Sequence, residues 1–334
     1  ILLLAASPLT RATLTQPGSE AVPEGRDART VTDTIASDFT ANLEAPITVT
    51  VPERTAGEVN EEIRRLDGVL AVSDPRPLRG GLALIQATPA SDPLSPAAQD
   101  TAEAIRSIST SATGESRVGG RSAEFVDFKQ SLLDSAPLVA GLIVSTTMLL
   151  LFLMTGSVIL PLKTLVLNLL SIAAALGLTV VVFQDGFGAG LFDYAGPSAL
   201  ETALVVVLGA TTFGLATDYA VLVLARIKEY HDQGHDNETA VALGIERTGR
   251  VITAAAMLLA VVFLAFTTGA IFFMKQVGFG QAVAVAIDAS IVRALLMPAL
   301  MRLLGDWNWW APRPLRRLHQ RLGLAEPQAT PARS

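Results

Sequence analysis

The chain has 334 residues, 50% of them hydrophobic, and its mean hydropathy of +0.46 is too apolar for an ordinary soluble protein. The net charge is −6, and the absence of cysteine excludes disulfides and thiolate metal sites. Residues 12–134 hold 19 acidic and 11 basic residues, so the remainder of the chain is slightly basic. These values predict a membrane protein that has an acidic, water-exposed part.

The first 136 residues combine a short apolar start with a polar domain. Residues 1–12 begin ILLLAASPL, without the basic region of a signal peptide, and are interpreted as the end of a truncated transmembrane helix. Residues 13–136 are predicted to form one water-exposed domain. Its pattern gives strands at 47–51, 69–73, 82–87 and 116–119 and helices at 55–66 and 95–109. The order βαββαβ is that of an α+β ferredoxin-like (split βαβ) domain.

Residues 137–306 are predicted to form a membrane α-helical bundle, because about 20 apolar residues suffice to span a bilayer. Five spans are expected, at about 137–154, 158–183, 200–225, 251–270 and 277–304. Asn237 is interpreted as the N-cap of a separate short helix, 238–248, that lies along the membrane. A basic tail, 307–334, follows the last span.

Basic residues in the loops predict the orientation of the bundle. One side carries Lys163, Arg226, Lys228, Arg247, Arg250, Arg302, Arg313, Arg316, Arg317 and Arg321, whereas the short loops of the other side carry only Lys275. We therefore expect a multi-pass protein of the bacterial plasma membrane, with the tail cytoplasmic and the ferredoxin-like domain extracytoplasmic. Trp307, Trp309 and Trp310 then lie at the cytoplasmic interface, where tryptophans commonly act as anchors.

The third span carries an acid inside its apolar run. Asp218 and Tyr219 lie between apolar segments, and Ala210, Gly214 and Asp218 share one helix face because they recur every four residues. Small residues allow close helix packing, so this face is expected to meet another helix rather than lipid. Asp218 is then either a structural hydrogen-bonding group or a proton carrier.

The fifth span holds a second polar pair, Asp288 and Arg293. A spacing of five residues corresponds to about 140° around an α-helix, so an intrahelical ion pair is not expected. Arg293 and Asp218 lie at similar distances from the predicted cytoplasmic face. We therefore predict an interhelical network of Asp218, Tyr219, Asp288 and Arg293 that serves as a proton relay.

Other motifs favour simpler interpretations. His231, Asp232, His235 and Asp236 could suggest a metal site, but the segment is polar throughout and is interpreted as a solvated loop. The glycine-rich stretch 186–190 lacks the spacing of a dinucleotide-binding fingerprint. Neither a Walker sequence nor a GxSxG elbow occurs, so no metal, no cofactor and no enzymatic activity are predicted.

Several segments together resemble an MMPL-type transporter of the RND superfamily. They are VGGRSAEFVDF, FGLATDYAVLVLARIKEY, ERTGRVITAAAMLLAVVFLAF, KQVGFGQAVAVAIDASIVRALLMPALMRLLG and DWNWWAPRPL. The resemblance covers nearly the whole chain and corresponds to the family's C-terminal half. It implies a proton-driven exporter of lipids, glycolipid precursors or hydrophobic drugs, built from two pseudo-symmetric halves.

The resemblance also implies site residues and partners. Asp218 and Tyr219 fill the family's Asp-Tyr pair, and Asp288, Ala289 and Arg293 fill its Asp-Ala-x-x-x-Arg pattern. The partner would be the N-terminal half of the same transporter or a second copy of this chain, with the proton gradient as energy source and no nucleic acid. Two alternatives remain open: a non-transporting membrane sensor or scaffold, and an accessory factor for protein secretion.

Overall fold

The computed structural model describes residues 1–16, 25–38, 45–113, 117–192, 194, 196 and 198–321. Its helices are α1 (Leu2–Ala6), α2 (Asp27–Asp38), α3 (Ala56–Arg64), α4 (Pro96–Thr113), α5 (Arg121–Thr155), α6 (Ile159–Thr179), α7 (Thr202–Asp232), α8 (Asn237–Phe266), α9 (Phe272–Ile287), α10 (Met297–Leu304) and α11 (Arg313–Arg321). Its strands are β1 (Leu14–Thr15), β2 (Ile47–Pro52), β3 (Val69–Val72), β4 (Arg76–Leu78), β5 (Leu82–Pro89), β6 (Val118–Gly119) and β7 (Leu200–Glu201). The chain divides into a sheet unit, Thr15–Leu138, and a membrane unit formed by Ile1–Leu14 and Val139–Ser334.

The sheet unit is built on an antiparallel sheet in which the strands lie in the order β3-β5-β2-β6. β2 and β5 form its centre, in a register that runs from Ile47 opposite Ala87 to Pro52 opposite Leu82. Alternate residues of β2 are buried, because successive strand side chains point to opposite faces. Its buried face packs with α3 and α4 in one apolar core, which includes Val49, Ile63 and Ile105.

The strand β4 was not predicted from the sequence. Its residues, Arg76–Leu78, are all exposed, so they lack the alternation of apolar and polar residues that marks a strand. β4 pairs with the start of β5 across a turn in which Gly80 and Gly81 have φ angles of +87° and +73°. These positive φ values favour glycine, which explains the Gly-Gly pair at this turn.

Five helical segments of the described chain are long and apolar enough to cross a bilayer. They are Arg121–Thr155, Ile159–Gln184, Thr202–Asp232, Asn237–Phe266 and Phe272–Trp309. The prediction of five membrane-spanning helices is confirmed. The second segment consists of α6 and a terminal π-helical turn, and the fifth joins α9 to α10 through a π-helical stretch, Asp288–Leu296.

The fourth span differs from its prediction. The sequence suggested a separate helix, 238–248, lying along the membrane, whereas α8 runs without a break from Asn237 to Phe266. The predicted N-cap is also wrong, because the side chain of Asp236 accepts the hydrogen bond from Thr239 N–H. Hydrogen bonds from the Thr239 side chain and from its backbone N–H lower the pKa of the Asp236 carboxyl below its ordinary value. The polar first turns of α8 pack along α7 because Gly244 leaves room for Ile227.

The two ends of the bundle can be defined by their contacts. At the tail end, the Ser157 hydroxyl donates to the Asn308 carbonyl, and the Asn237 amide donates to the Met301 carbonyl. At the far end, Lys275 donates to the Phe192 carbonyl. Lys275 lies in the first turn of α9 and is 7% exposed. The sequence analysis had placed it in a short loop.

Candidate functional site

A π-helical segment brings Asp288 and Arg293 together. Arg293 Nε donates to Asp288 Oδ2 at 2.7 Å, so the prediction that these two residues would not pair within one helix is wrong. The physical reason is the local helix type. Residues 288–296 form a π-helix, whose hydrogen bonds join residues five apart, so a five-residue spacing places both side chains on one face.

Arg293 also connects the fifth span to the third. Its terminal nitrogen Nη2 donates to the carbonyl oxygen of Ala216 on α7. Its Cζ atom lies 5.3 Å from the centroid of the Tyr219 ring, within the range of a cation–π contact. The guanidinium group therefore has an acid, a backbone carbonyl and an aromatic face as neighbours on two helices.

The Asp288–Arg293 ion pair is buried within the chain. Asp288 is 3% exposed and Arg293 is 6% exposed. Buried charges are tolerated only when they are paired and hydrogen-bonded, and Arg293 meets this requirement through Asp288 and Ala216. Asp288 Oδ1, in contrast, has no hydrogen-bond partner within the residues that the structure describes. It is an acceptor at which a proton or a water molecule can bind.

Asp218 lies on a different face of α7. Asp218 is exposed, as are Ala210 and Gly214. A Cβ atom added at Gly214 would meet no atom within 4 Å. Asp218 has no side-chain hydrogen bond or ion pair to any residue in the described ranges. The predicted close packing of this face therefore involves no described helix of this chain, and we call residues 210, 214 and 218 the uncovered face.

The predicted network thus separates into two parts. Tyr219, Asp288 and Arg293 are brought into contact, whereas Asp218 follows the uncovered face although it is adjacent to Tyr219 in sequence. Neighbouring residues in a helix point about 100° apart, which explains the separation.

A second polar group in the same helices was missed by the sequence analysis. Gln281 on α9 is 1% exposed, accepts from the Thr212 hydroxyl at 3.1 Å and donates to the Thr211 hydroxyl. A signal was present, because Gln281 precedes Asp288 by seven residues, or two helical turns, and therefore shares its face. Gln281 extends the polar seam between α7 and α9 towards the far end.

The seam ends at a buried carboxyl group. Glu201 is 5% exposed, and its Oε2 accepts from Leu204 N–H at 2.9 Å, so it caps α7. Its own N–H donates to the Gln276 side chain, which in turn donates to the Tyr194 hydroxyl. Burial raises the pKa of the Glu201 carboxyl above its ordinary value, and the backbone N–H groups at the helix start oppose that rise.

The predicted histidine-containing loop has other contacts, and its first residues are helical because α7 extends to Asp232. The His231 ring stacks on Trp309, with ring centroids 3.9 Å apart, and Asp236 caps α8. The described residues contain no group of three or more His, Cys, Asp or Glu side chains placed to hold a metal ion. In the glycine-rich stretch, Gly186 and Gly188 have positive φ angles, as expected for a turn.

The comparison of the chain with known families is decisive for its classification. The sequence model of the MMPL family matches residues 80–325, which is most of the chain and includes all four predicted relay residues. The chain belongs to the MMPL family. The family assignment made from the sequence motifs is therefore confirmed, and the protein is embedded in a membrane as a relative of the MMPL transporters of the RND superfamily.

Relatives of this MMPL chain match most of it and are themselves longer. A membrane protein of Streptomyces coelicolor is 40% identical over 332 residues, which cover 99% of this chain and 46% of the relative. The trehalose monomycolate exporter MmpL3 of Mycolicibacterium smegmatis is 41% identical over 63% of this chain and 20% of the exporter. The heme uptake protein MmpL11 of Mycobacterium tuberculosis is 34% identical over 78% of this chain and 27% of that protein. The chain thus spans less than half the length of these relatives.

Proposed function

We propose that this MMPL chain is the C-terminal half of an exporter that moves lipids or other hydrophobic compounds and is driven by the proton-motive force. The observation that carries the proposal is that the chain holds two different acids. Asp288 forms a buried ion pair with Arg293, whereas no described helix of the chain covers Asp218. The Asp288 carboxyl group is paired with a cation of the chain, and the Asp218 carboxyl group would meet a partner.

The relatives support a transporter rather than an enzyme. One is named as an exporter of trehalose monomycolate and another as a heme uptake protein, so both move large, largely apolar molecules. The match to 46% of the Streptomyces relative supports a protein in which this chain supplies one half. The missing half, or a second copy of the chain, would then cover the uncovered face.

The sheet unit supports the same proposal. Its strand order β3-β5-β2-β6, with two helices packed on one face, supports the assignment as a ferredoxin-like domain. We assign it as the porter domain through which substrate passes, on the extracytoplasmic side. The tail end of the bundle, which carries most of its arginines, would then be cytoplasmic.

In the proposed cycle Asp218 is the proton carrier. A carboxylate in an apolar span is costly unless it is paired, hydrated or protonated, so proton binding changes which neighbours it tolerates. Arg293 would pair with Asp288 and orient the Tyr219 ring beside Asp218. Each proton that crosses the membrane supplies about 2.3 kcal/mol per 100 mV. No bound cofactor is needed, because the proton gradient provides the energy.

The test is Asp218→Asn in the full-length protein, reconstituted in liposomes with an imposed pH gradient. We expect export and proton flux to be abolished while membrane insertion and unfolding temperature stay unchanged, because asparagine keeps the shape and loses the proton. Asp232→Asn, at the exposed end of α7, is the matched control and is expected to transport normally. Normal export by the Asp218 variant would disprove the proton-carrier role.

One observation favours a second candidate, a membrane scaffold. Asp288 and Arg293 form a complete pair, as purely structural charges do, and the uncovered face could bind a helix of an unrelated partner. In that case Asp218→Asn would weaken assembly of the complex and leave no proton flux to lose in the parent protein. Proton flux in the parent protein therefore separates the two candidates.

A further inference from the structure

The last described helix, α11, has two different sides. Arg313, Arg316, Arg317 and Arg321 recur at spacings of three and four residues, and all four side chains are exposed. Such spacings place residues on one side of a helix. His319 lies on the other side and is 7% exposed.

Contacts at the tail end hold α11 in place. His319 Nε2 lies 3.0 Å from the Leu153 carbonyl oxygen, and the imidazole meets the Phe152 ring edge-on. The turn before the helix is attached as well, because Val158 N–H donates to the Trp310 carbonyl at 3.1 Å. The helix therefore lies against the loop that joins the first two membrane-spanning helices, at the membrane boundary.

Residues 307–321 carry positively charged side chains and no negatively charged ones. From Trp307 to Arg321 the sequence contains no Asp or Glu, although the chain as a whole has a net charge of −6. None of the four arginines of α11 forms an ion pair within the described part of the chain. By contrast, Arg226 and Lys228 at the end of α7 are both paired with acids.

Apolar side chains surround the arginines. Trp307 and Trp310 are 67% and 47% exposed, and Leu315 and Leu318 are also exposed. Exposed tryptophan and leucine beside arginine are typical of a helix that lies in the interfacial layer of a membrane. A soluble acidic partner would leave these apolar side chains in water, whereas a lipid leaflet accommodates both kinds of group.

We propose that α11 and the turn before it bind anionic glycerophospholipids of the leaflet at the tail end. Arginine recognises phosphate through a planar fork of N–H donors, and the headgroup layer of an anionic leaflet offers phosphates at high density. The tryptophan and leucine side chains insert beside the upper acyl chains. This binding site is independent of the proton relay, and it does not depend on the direction of transport.

The chain carries its own probe for this site. All three of its tryptophans, Trp307, Trp309 and Trp310, lie in the turn that precedes α11, so intrinsic tryptophan fluorescence reports on this place alone. The full chain would be reconstituted in bilayers with a fixed minority of phosphatidylglycerol in phosphatidylcholine. In one sample only the phosphatidylglycerol carries bromine on its acyl chains, and in the other an equal amount of the phosphatidylcholine does.

If anionic lipid collects at α11, brominated phosphatidylglycerol quenches the tryptophans about fivefold more per mole than brominated phosphatidylcholine, and high salt reduces the ratio. The triple variant Arg316→Gln, Arg317→Gln, Arg321→Gln should lower the ratio to near one. The matched control removes three exposed arginines of the sheet unit, through Arg54→Gln, Arg76→Gln and Arg79→Gln. It carries the same net charge as the test variant and should quench as the parent chain does.

Two results would overturn the proposal. Equal quenching by the two brominated lipids in the parent chain would mean that the surface has no preference for anionic lipid. An unchanged ratio in the triple variant would mean that the preference arises elsewhere. An equal loss in the sheet-unit control would also count against it, because net charge rather than α11 would then be responsible.

Discussion

Asp218 and Asp288 are two acids in apolar membrane-spanning helices, and their surroundings differ in almost every respect. Asp288 is 3% exposed and is paired with an arginine of its own helix. Asp218 is exposed, and it shares its face with Ala210 and Gly214. Of these two acids in apolar helices, Asp288 is therefore paired with a cation of the described chain and Asp218 is not.

The two acids differ in how much of their surroundings the described helices supply. Around the Asp288–Arg293 pair, two helices of the chain supply the neighbours. Around Asp218, the chain supplies only a smooth helix face made of small residues, which suits the close approach of another helix. Variants at Asp218 and Asp288, and at the helix faces that carry them, therefore test this difference.

The largest effect is expected at the buried pair. Asp288→Asn leaves the Arg293 guanidinium buried without an opposite charge, and breaking a buried pair from one side typically costs about 3–5 kcal/mol. We expect the unfolding transition in detergent or nanodiscs to fall accordingly, whereas Asp218→Asn in this chain changes it by less than about 0.5 kcal/mol. The measurement is the free energy of unfolding of the parent chain and both variants.

The double variant Asp288→Asn, Arg293→Gln is the control for this prediction. Removing both charges should recover part of the loss, because no uncompensated charge remains. Additive losses would mean that the two residues do not act as a pair.

A second, smaller effect is expected where α9 packs against α8. A Cβ atom at Gly278 would lie 2.5 Å from the Phe263 carbonyl oxygen, so Gly278→Ala forces two backbones apart. Overpacking of this kind costs about 1–3 kcal/mol. Thermal unfolding of the variant should reveal it, and an unchanged transition would show that the helices can separate without loss.

The matching change on the uncovered face should have the opposite sign. Gly214→Ala meets no atom within 4 Å, so in this chain alone the better helix propensity of alanine should stabilise α7 by up to about 1 kcal/mol. In the proposed full-length transporter the same change should weaken the association of this chain with its proposed partner half, measured by co-purification. A loss of stability in the isolated chain would show that the face is already covered.

The smallest effect concerns pH and Glu201. Burial raises the folded-state pKa of this carboxyl above its ordinary value of 4.5, so the folded protein holds the proton more tightly than the unfolded chain. Stability therefore falls as pH rises from 4.5 through the raised pKa, and is level above it.

Glu201→Gln removes this dependence and keeps an oxygen that can accept from Leu204 N–H. The variant and the parent should have similar unfolding temperatures at the acidic end of that range, and the variant should be the more stable at neutral pH. A constant difference across the range would show that the carboxyl group does not titrate on unfolding.

The sequence allowed most of the membrane unit to be predicted, because long apolar runs identify spans without knowledge of their neighbours. It failed where the decisive feature was local geometry. The pairing of Asp288 with Arg293 depends on a π-helical register, and no residue type distinguishes that register from an α-helix.

Two further errors have a similar origin. The sequence predicted a separate short helix at 238–248, whereas Asp236 begins a helix that continues to Phe266, and Gly244 lets it pack against α7. β4 consists of exposed residues that form a strand only because β5 lies beside them. The depth of Asp218 in its span could be predicted, but its exposure depends on which helices the chain supplies.

The uninterrupted helix α8 has a mechanical consequence. Its 30 residues extend about 45 Å, which exceeds the hydrocarbon thickness of about 30 Å. It contains no proline, and its first residue, Asn237, is tied to both Met301 and Trp309. Because α8 is stiff and is held at Asn237, we expect that it does not absorb a displacement of the tail end by bending. It delivers any tilt to the opposite membrane surface, where a small rotation at the clamp becomes a movement of several ångströms.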